Sequence, residues 1–336
     1  MKMYRNIVIK GEEIYTPKKK VDNNYFERHF KKFRQDKEAG ELMNYFGRNE
    51  RYFVSEGENT LTMAIDASKK VIEKTKTNPK DIDMILFTSD NPEYALPTNA
   101  VKIHQAIGAT NAHIVLDINA NCIGMLTSLD FACRYAKNNE KIRTILLVGS
   151  ACFSKITRKD DVVSYPNFSD GSSAVILEAK EENRIRGFID SNYTTCSDIC
   201  DKVEYPKCGY SNINKPEILK EDKKMNFIRH DVSYFSDEWK KIMTDMLDEN
   251  SLRIDDIDHF LFSQFNKEEV KETLEKMEVD LNRHTFVGEK YGYTGVASPM
   301  FALNEAIKEE KIKEGSKLMF CSVGVGYTMS TIIYVC

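Results

Sequence analysis

The sequence predicts a layered α/β fold of two similar halves, stacked α/β/α/β/α. Three observations predict it. Apolar runs of strand length alternate with helical patterns, the signature of sheets covered by helices. The same series of elements occurs twice along the chain. The length of 336 residues, with 41% hydrophobic and 30% charged side chains, suits one large or two smaller soluble domains. The expected halves are residues 1–180 and 181–336.

The first half opens its series with Asp83-Met-Ile-Leu-Phe-Thr-Ser89, an apolar run after Lys80-Asp-Ile82. The second half has His259-Phe-Leu-Phe-Ser263 after Asp255-Asp-Ile-Asp258. The next pair of strands is His113–Asp117 and His284–Val287. A helical pattern follows each, with Leu126, Leu129, Ala132, Cys133 and Ala136 on one face of the first. Met300, Leu303, Ala306 and Ile307 mark the second, at the i, i+3, i+4 spacing of an amphipathic helix. Thr144–Val148 then runs into Gly149-Ser-Ala-Cys152, and Leu318–Phe320 runs towards Val323-Gly-Val-Gly326. Ala174–Leu177 and Thr331–Val335 close the two halves. Strands alternating with helices predict a mainly parallel sheet in each half. Outside the repeat, Tyr25–Tyr45 reads as a charged helical cap. Tyr193–Lys224 is long and polar, the composition of a lid or substrate wall.

Composition excludes several classes. Ten per cent aromatics and abundant Ile, Leu and Val exclude intrinsic disorder. A net charge of −4 offers no footprint for nucleic acid. No stretch reaches the roughly eighteen apolar residues of a membrane span, and the run Ile7–Ile9 is too short for a signal peptide. The expected compartment is the cytosol, where the eight cysteines stay reduced. Cys196, Cys200 and Cys208 lie close together, but no CxxC pair or nearby His completes a metal site, so no metal or other cofactor is expected.

One cysteine stands out. Asp117-Ile-Asn-Ala-Asn-Cys-Ile-Gly-Met125 places Cys122 where a strand has ended and a helix begins. Unpaired N–H groups and the helix dipole there favour a thiolate, so the thiol pKa is expected to fall. Such a thiolate attacks a thioester carbonyl and holds the acyl group covalently. A buried thiol at a helix start is the alternative.

Further motifs run nearly end to end: Ile14-Tyr-Thr-Pro17, Gly47-Arg-Asn-Glu-Arg51, the Cys122 turn, Phe168-Ser-Asp-Gly-Ser-Ser-Ala174 and Val323-Gly-Val-Gly-Tyr-Thr328. In this order the chain resembles a β-ketoacyl-[acyl-carrier-protein] synthase III, a condensing enzyme of the thiolase superfamily. The resemblance implies a duplicated thiolase fold, a homodimer, and acyl transfer from coenzyme A or acyl carrier protein thioesters. It implies that Cys122 takes the acyl group and that a carbanion from malonyl-carrier protein then attacks it, in fatty-acid or related specialised metabolism. It also implies an oxyanion hole from the backbone N–H groups of Cys122 and Val325. Leu96, in Tyr94-Ala-Leu-Pro97, matches the residue that limits the acyl pocket from the dimer partner.

The departures concern the assisting groups. The family's His lies in a His-Gln-x-Asn run, which here reads Ser263-Gln-Phe-Asn266. Its Asn lies in His-Gly-Asn-Thr, here Tyr291-Gly-Tyr-Thr294. The expected catalytic set becomes Cys122, Ser263 and Tyr293, with Ser263 or Gln264 as a second donor beside the Tyr293 hydroxyl. Ser is neither a base nor a cation at neutral pH. Arg48, Arg51, Arg229 and Asn266 are the candidate contacts for pantetheine or its phosphate. Glu41 and Tyr45 replace the Trp and Arg that clamp adenine, which weakens coenzyme A and favours a carrier-protein donor. His230 is the candidate replacement base; His113, His259 and His284 read as structural. Loss of His and Asn also leaves open acyl transfer to oxygen, nitrogen or water without decarboxylation. A supporting subunit of a heteromeric synthase is the non-catalytic alternative.

Overall fold

In the computed structural model, which describes residues 2–336, the apolar runs of both halves form two main sheets. The first has the order Tyr4–Tyr15, Asp170–Glu182, Thr144–Cys152, Met84–Thr88, Ile114–Ile118. The second has the order His259–Phe262, Lys317–Gly324, Thr328–Val335, Gly187–Thr195.

Neither sheet is mainly parallel, contrary to the expectation. Met84–Thr88 pairs in parallel with both of its neighbours, and His259–Phe262 pairs in parallel with Lys317–Gly324. The remaining pairs in both sheets are antiparallel. The turn Val325–Tyr327 shows why. It joins Lys317–Gly324 to Thr328–Val335 through Gly326 and Tyr327, with φ of 77° and 63°. A connection this short closes only a hairpin, whereas a parallel partner needs a crossover of a dozen or more residues.

The expected strand at His284–Val287 is reduced to an isolated bridge between Phe260 and His284. The preceding one-turn helix Leu281–Arg283 holds His284 by its backbone and ring.

Helices Gly124–Lys137 and Ser298–Lys308 lie between the sheets. Leu126, Leu129, Met300 and Leu303 share one core with strands of both sheets. Ser298–Lys308 is buried around most of its circumference, as a central helix must be. Ile307, expected on the buried face, is 38% exposed because it falls in the last turn, where the helix emerges. Thr60–Thr75 and Asn99–Ile107 cover the outer face of the first sheet. Phe235–Glu249 and Lys267–Lys276 cover that of the second. These are the five layers.

The charged segment near residue 30 forms helices Asn23–Phe30 and Asp36–Phe46, closed over an aromatic cluster of Phe26, Phe30, Phe53 and Tyr165. Among the described residues, no helix is long and apolar enough to cross a membrane.

The parallel pair Met84–Thr88 and Ile114–Ile118 positions the site. Both strands end at the same sheet edge, Thr88 beside Ile118. The residues that follow them, Ser89–Asn91 and Asn119–Cys122, are therefore brought together. Carboxyl ends of neighbouring parallel strands are where α/β sheets hold ligands.

Candidate active site

The turn that carries Cys122 is built by side chains that cap backbone groups. The Asp117 carboxylate accepts the N–H groups of Asn99 and Ala100 at 2.7 and 2.8 Å, fixing the strand end to the start of the preceding helix, Asn99–Ile107. Asn121 takes a left-handed φ of 51°, and its N–H bonds Asn119 Oδ1 at 3.0 Å. Asn tolerates this conformation better than most residues. The chain reverses sharply and the helix begins at Gly124, where any Cβ would collide with Thr88 Oγ1. Asn121 Nδ2 donates to the Val325 carbonyl at 3.3 Å, tying this turn to the glycine-rich loop of the other half.

Two groups meet the sulfur. Cys122 Sγ lies 3.7 Å from Asp90 Oδ2, to which it donates. The Tyr293 phenol lines the same cavity and stands close enough to the sulfur to act on its ionisation. The expected fall in thiol pKa is reversed: burial, then the Asp90 charge, push it well up, while the Tyr293 phenol pulls it down. A helix end acts weakly against a neighbouring carboxylate in a site closed to water. Burial also drives Tyr293 well up, so it stays a neutral donor. Asp90 is raised to about 6 by desolvation, against hydrogen bonds from Cys122 and the Val296 backbone.

Tyr293 is set by close packing. Gly292 before it has φ of 69°, and a Cβ there would lie 2.7 Å from Ser169 Cβ. Backbone bonds join Tyr293 N–H to Asn167 O at 3.2 Å and Ser169 N–H to Tyr293 O at 2.9 Å. Its ring contacts those of Phe153, Phe168 and Phe265.

The sulfur opens into a cavity of about 170 Å³. Its walls are mainly aromatic and aliphatic, with Phe153, Phe168, Phe227 and Phe265 around the path to Cys122. Ile199, Val203, Tyr205 and Met225 come from the long segment before the helix Phe235–Glu249, which does serve as a wall. Val325 lines the cavity, as expected for an oxyanion donor, and so does His230. His230 stacks on Phe227 and bonds the Ile228 carbonyl. An outer cavity shares Phe227, His230 and Phe265 with the inner one. Glu38, Glu41 and Asp231 stand on its wall against the cation Arg229, which pairs with Glu38 at 3.1 Å. The mouth therefore carries more acid than base.

Several expected site residues are elsewhere. Ser263 is fully buried, its hydroxyl has no hydrogen-bond partner, and it does not line the cavity. Its neighbour Phe265 fills the wall instead. Gln264, the other proposed donor, is bound to backbone groups of Phe262, Val287 and Gly288. Asn266 caps the helix Lys267–Lys276 rather than facing a ligand.

Arg48 and Arg51 are buried structural cations. Arg48 donates to the carbonyls of Phe46, Gly47, Asn167, Gln264 and Phe265. Burial lowers it to about 9. Arg51 reaches Pro166 O and Asn23 Oδ1 over the Phe26 ring. Neither is free to meet a phosphate. Leu96 is 88% exposed on the single chain and outside the cavity.

Asp90, which touches the sulfur, carries no motif that singles it out in the sequence. Asn91 holds its turn through Nδ2 to Cys152 O at 2.8 Å and Oδ1 from Cys152 N–H at 3.2 Å. Chemically, the site offers a thiol, a carboxylate raised to about 6, a phenol and an apolar cavity. That combination suits acyl transfer through a thioester.

Residues 116–196 match the family described as 3-oxoacyl-[acyl-carrier-protein] synthase III, and residues 247–336 match the C-terminal part described under the same name. A β-ketoacyl-[acyl-carrier-protein] synthase III of Brucella suis is 27% identical over 290 residues, covering 85% of this chain and 87% of the relative. One from Bartonella bacilliformis is 27% identical over 321 residues, covering 94% and 95%. The crystal structure of 3-oxoacyl-[acyl-carrier-protein] synthase III from Aquifex aeolicus superposes with a TM-score of 0.87 at 21% identity, covering 98% of this chain and all of that one. The shared architecture is the duplicated thiolase fold.

Proposed function

The chain belongs to the 3-oxoacyl-[acyl-carrier-protein] synthase III family of acyl-transferring condensing enzymes, and from that premise we propose that Cys122 takes an acyl group from a thioester and passes it on. The acceptor in this reading is a malonyl-type group on acyl carrier protein, and a carbon–carbon bond forms. The observation that carries it is Cys122 on the wall of a largely aromatic cavity that Tyr293 also lines. An arm of pantetheine dimensions enters past Phe227 and Phe265. The acyl carbonyl then rests against the backbone N–H groups of Cys122 and Val325, which take the charge of the tetrahedral intermediate. A second copy of the chain would supply Leu96 to the acyl pocket. The proposed setting is cytosolic fatty-acid or related specialised metabolism.

One observation favours a second reading, acyl transfer without decarboxylation. The Asp90 carboxylate stands beside the sulfur, where a malonyl carboxylate would meet a like charge at close range. No imidazole touches the sulfur to offset it. In that reading the acceptor is an oxygen or nitrogen nucleophile, or water.

Incubation of the chain with acyl-coenzyme A and with acyl carrier protein thioester, followed by mass spectrometry, tests both. The expected result is an acyl adduct on the Cys122 peptide, absent in Cys122→Ala. Labelled carbon dioxide released from malonyl-carrier protein only by the acylated enzyme supports the decarboxylating reading. An adduct without such release supports the second. No adduct from either donor overturns both.

A further inference from the structure

We propose that Asp90 is the proton acceptor for Cys122 when the thiol is acylated, the role that the missing imidazole leaves open. The proposal rests on the reading that Cys122 is acylated. Its geometric basis is direct contact: Asp90 Oδ2 accepts the thiol at 3.7 Å, within the reach of a hydrogen bond to sulfur. Asp90 Oδ1 is closed off from water and has no partner. The carboxylate is thus incompletely satisfied on the wall of the cavity that leads to the sulfur. An orphaned buried oxygen of this kind is costly, and it calls for a functional reason.

The groups that face Asp90 are few. Cys122 reaches it from the strand-to-helix turn, Tyr293 from the loop after Gly292, and the Val296 N–H from the next one-turn helix. No Lys or Arg acts on it, so nothing holds it permanently ionised as a partner in an ion pair. Ser263 stands away from the cavity, and His230 lies on its wall in contact with Phe227.

The step balances without another reactant. The Sγ–C bond forms at the thioester carbonyl as the thiol proton moves to Asp90 Oδ2. The carbonyl π pair goes to oxygen, against the N–H groups of Cys122 and Val325. When the intermediate collapses, the C=O bond re-forms and the donor C–S bond breaks. The departing thiolate takes the proton from Asp90, which is again a carboxylate. Net, the acyl group exchanges one thiol for the other. An anionic base suits this site, because the negative charge only moves from the carboxylate to the oxyanion. A neutral base would have to create an ion pair in a cavity with little water.

The test uses octanoyl-N-acetylcysteamine, a small neutral donor, with rapid quenching and mass spectrometry of Cys122. Asp90→Asn is expected to slow acylation at pH 7.5 by about a hundredfold or more, the usual scale of a lost general base. Acylation by the wild type should rise with pH through a limb near 6. That limb should persist in Asp90→Glu and in His230→Gln, and vanish in Asp90→Asn. The opposite outcome is equally definite. If Asp90 merely sets a charge against the sulfur, removing that charge eases thiol ionisation, and Asp90→Asn acylates as fast as the wild type or faster. That result, or a flat wild-type profile from pH 5 to 8, overturns the proposal without touching acyl transfer itself. No adduct in the wild type overturns the acyl-transfer reading, and the role of Asp90 with it.

Discussion

Tyr293 and Cys122 come from opposite halves of the chain, and the phenol and the sulfur meet on the wall of one cavity. A phenol donor there favours the thiolate, so its loss raises the thiol pKa further. Tyr293→Phe keeps the ring contacts with Phe153, Phe168 and Phe265 and removes only the donor. A hydrogen bond to a charged group is worth about 1.5–3 kcal/mol, so Cys122 acylation should slow by about ten- to a hundredfold. Alkylation of Cys122 by iodoacetamide should shift to more alkaline pH, with thermal stability nearly unchanged. Equal acylation rates in the two proteins would show that the phenol is only packing.

Arg48 should matter for folding and not for substrate affinity. Its guanidinium is 1% exposed and binds five carbonyls, two of which, on Gln264 and Phe265, belong to the second half. Arg48→Ala leaves those acceptors unpaired, at a cost of about 3–5 kcal/mol by analogy with broken buried pairs. Urea unfolding measures this. A variant of wild-type stability with a raised KM would restore Arg48 as a phosphate contact.

The fold was legible where the signal was local. The apolar runs at Met84–Thr88 and His259–Phe262 are strands, and the spacing of Leu126, Leu129 and Cys133 is a buried helix face. Strand direction was not legible, because it depends on connections such as Val325–Tyr327 rather than on the runs they join. In the site, Cys122, Tyr293, Val325 and His230 reach the cavity. The charged residues misled. Arg48 and Arg51 read as phosphate contacts because backbone carbonyls, their actual partners, have no sequence signature. Asp90 is one acid among many along the chain. Its only advance signal is positional: it follows a strand adjacent and parallel to the one that leads to Cys122. Recognising it required the strand order, not the motif.

The charge of the mouth should govern the donor. Glu38, Glu41 and Asp231 line the outer cavity with Arg229 already paired to Glu38. The phosphates of coenzyme A must pass this rim. Reversing one exposed charge is worth up to about 1 kcal/mol at low salt. Glu41→Lys should therefore raise kcat/KM for acyl-coenzyme A by about three- to fivefold. It should not alter turnover of the neutral N-acetylcysteamine thioester, and the gain should fade by about 0.5 M salt, where exposed charges are screened. An equal gain for both donors would place the effect inside the channel instead.

Asp90 should also cost the protein stability. Its folded-state pKa is raised from 3.8 to about 6. The folded protein therefore binds a proton more readily than the unfolded chain between those values. Stability rises as pH falls from about 6 towards 4, and the strain of the ionised carboxylate is fully present above pH 6. Two pKa units correspond to about 3 kcal/mol, reduced to about 1–2 kcal/mol because Asp90 retains some solvent exposure. Asp90→Asn removes the charge and nearly preserves the shape. It should raise the melting temperature at pH 7.5, with the advantage shrinking as pH approaches 4, where wild-type Asp90 is itself neutral. Calorimetric scans of both proteins at pH 4, 6 and 7.5 measure the effect. A pH-independent difference would mean that the carboxylate is not strained, and that its oxygens find partners the unbound site does not reveal. A variant that is more stable yet acylates more slowly marks a residue kept for chemistry at the expense of folding.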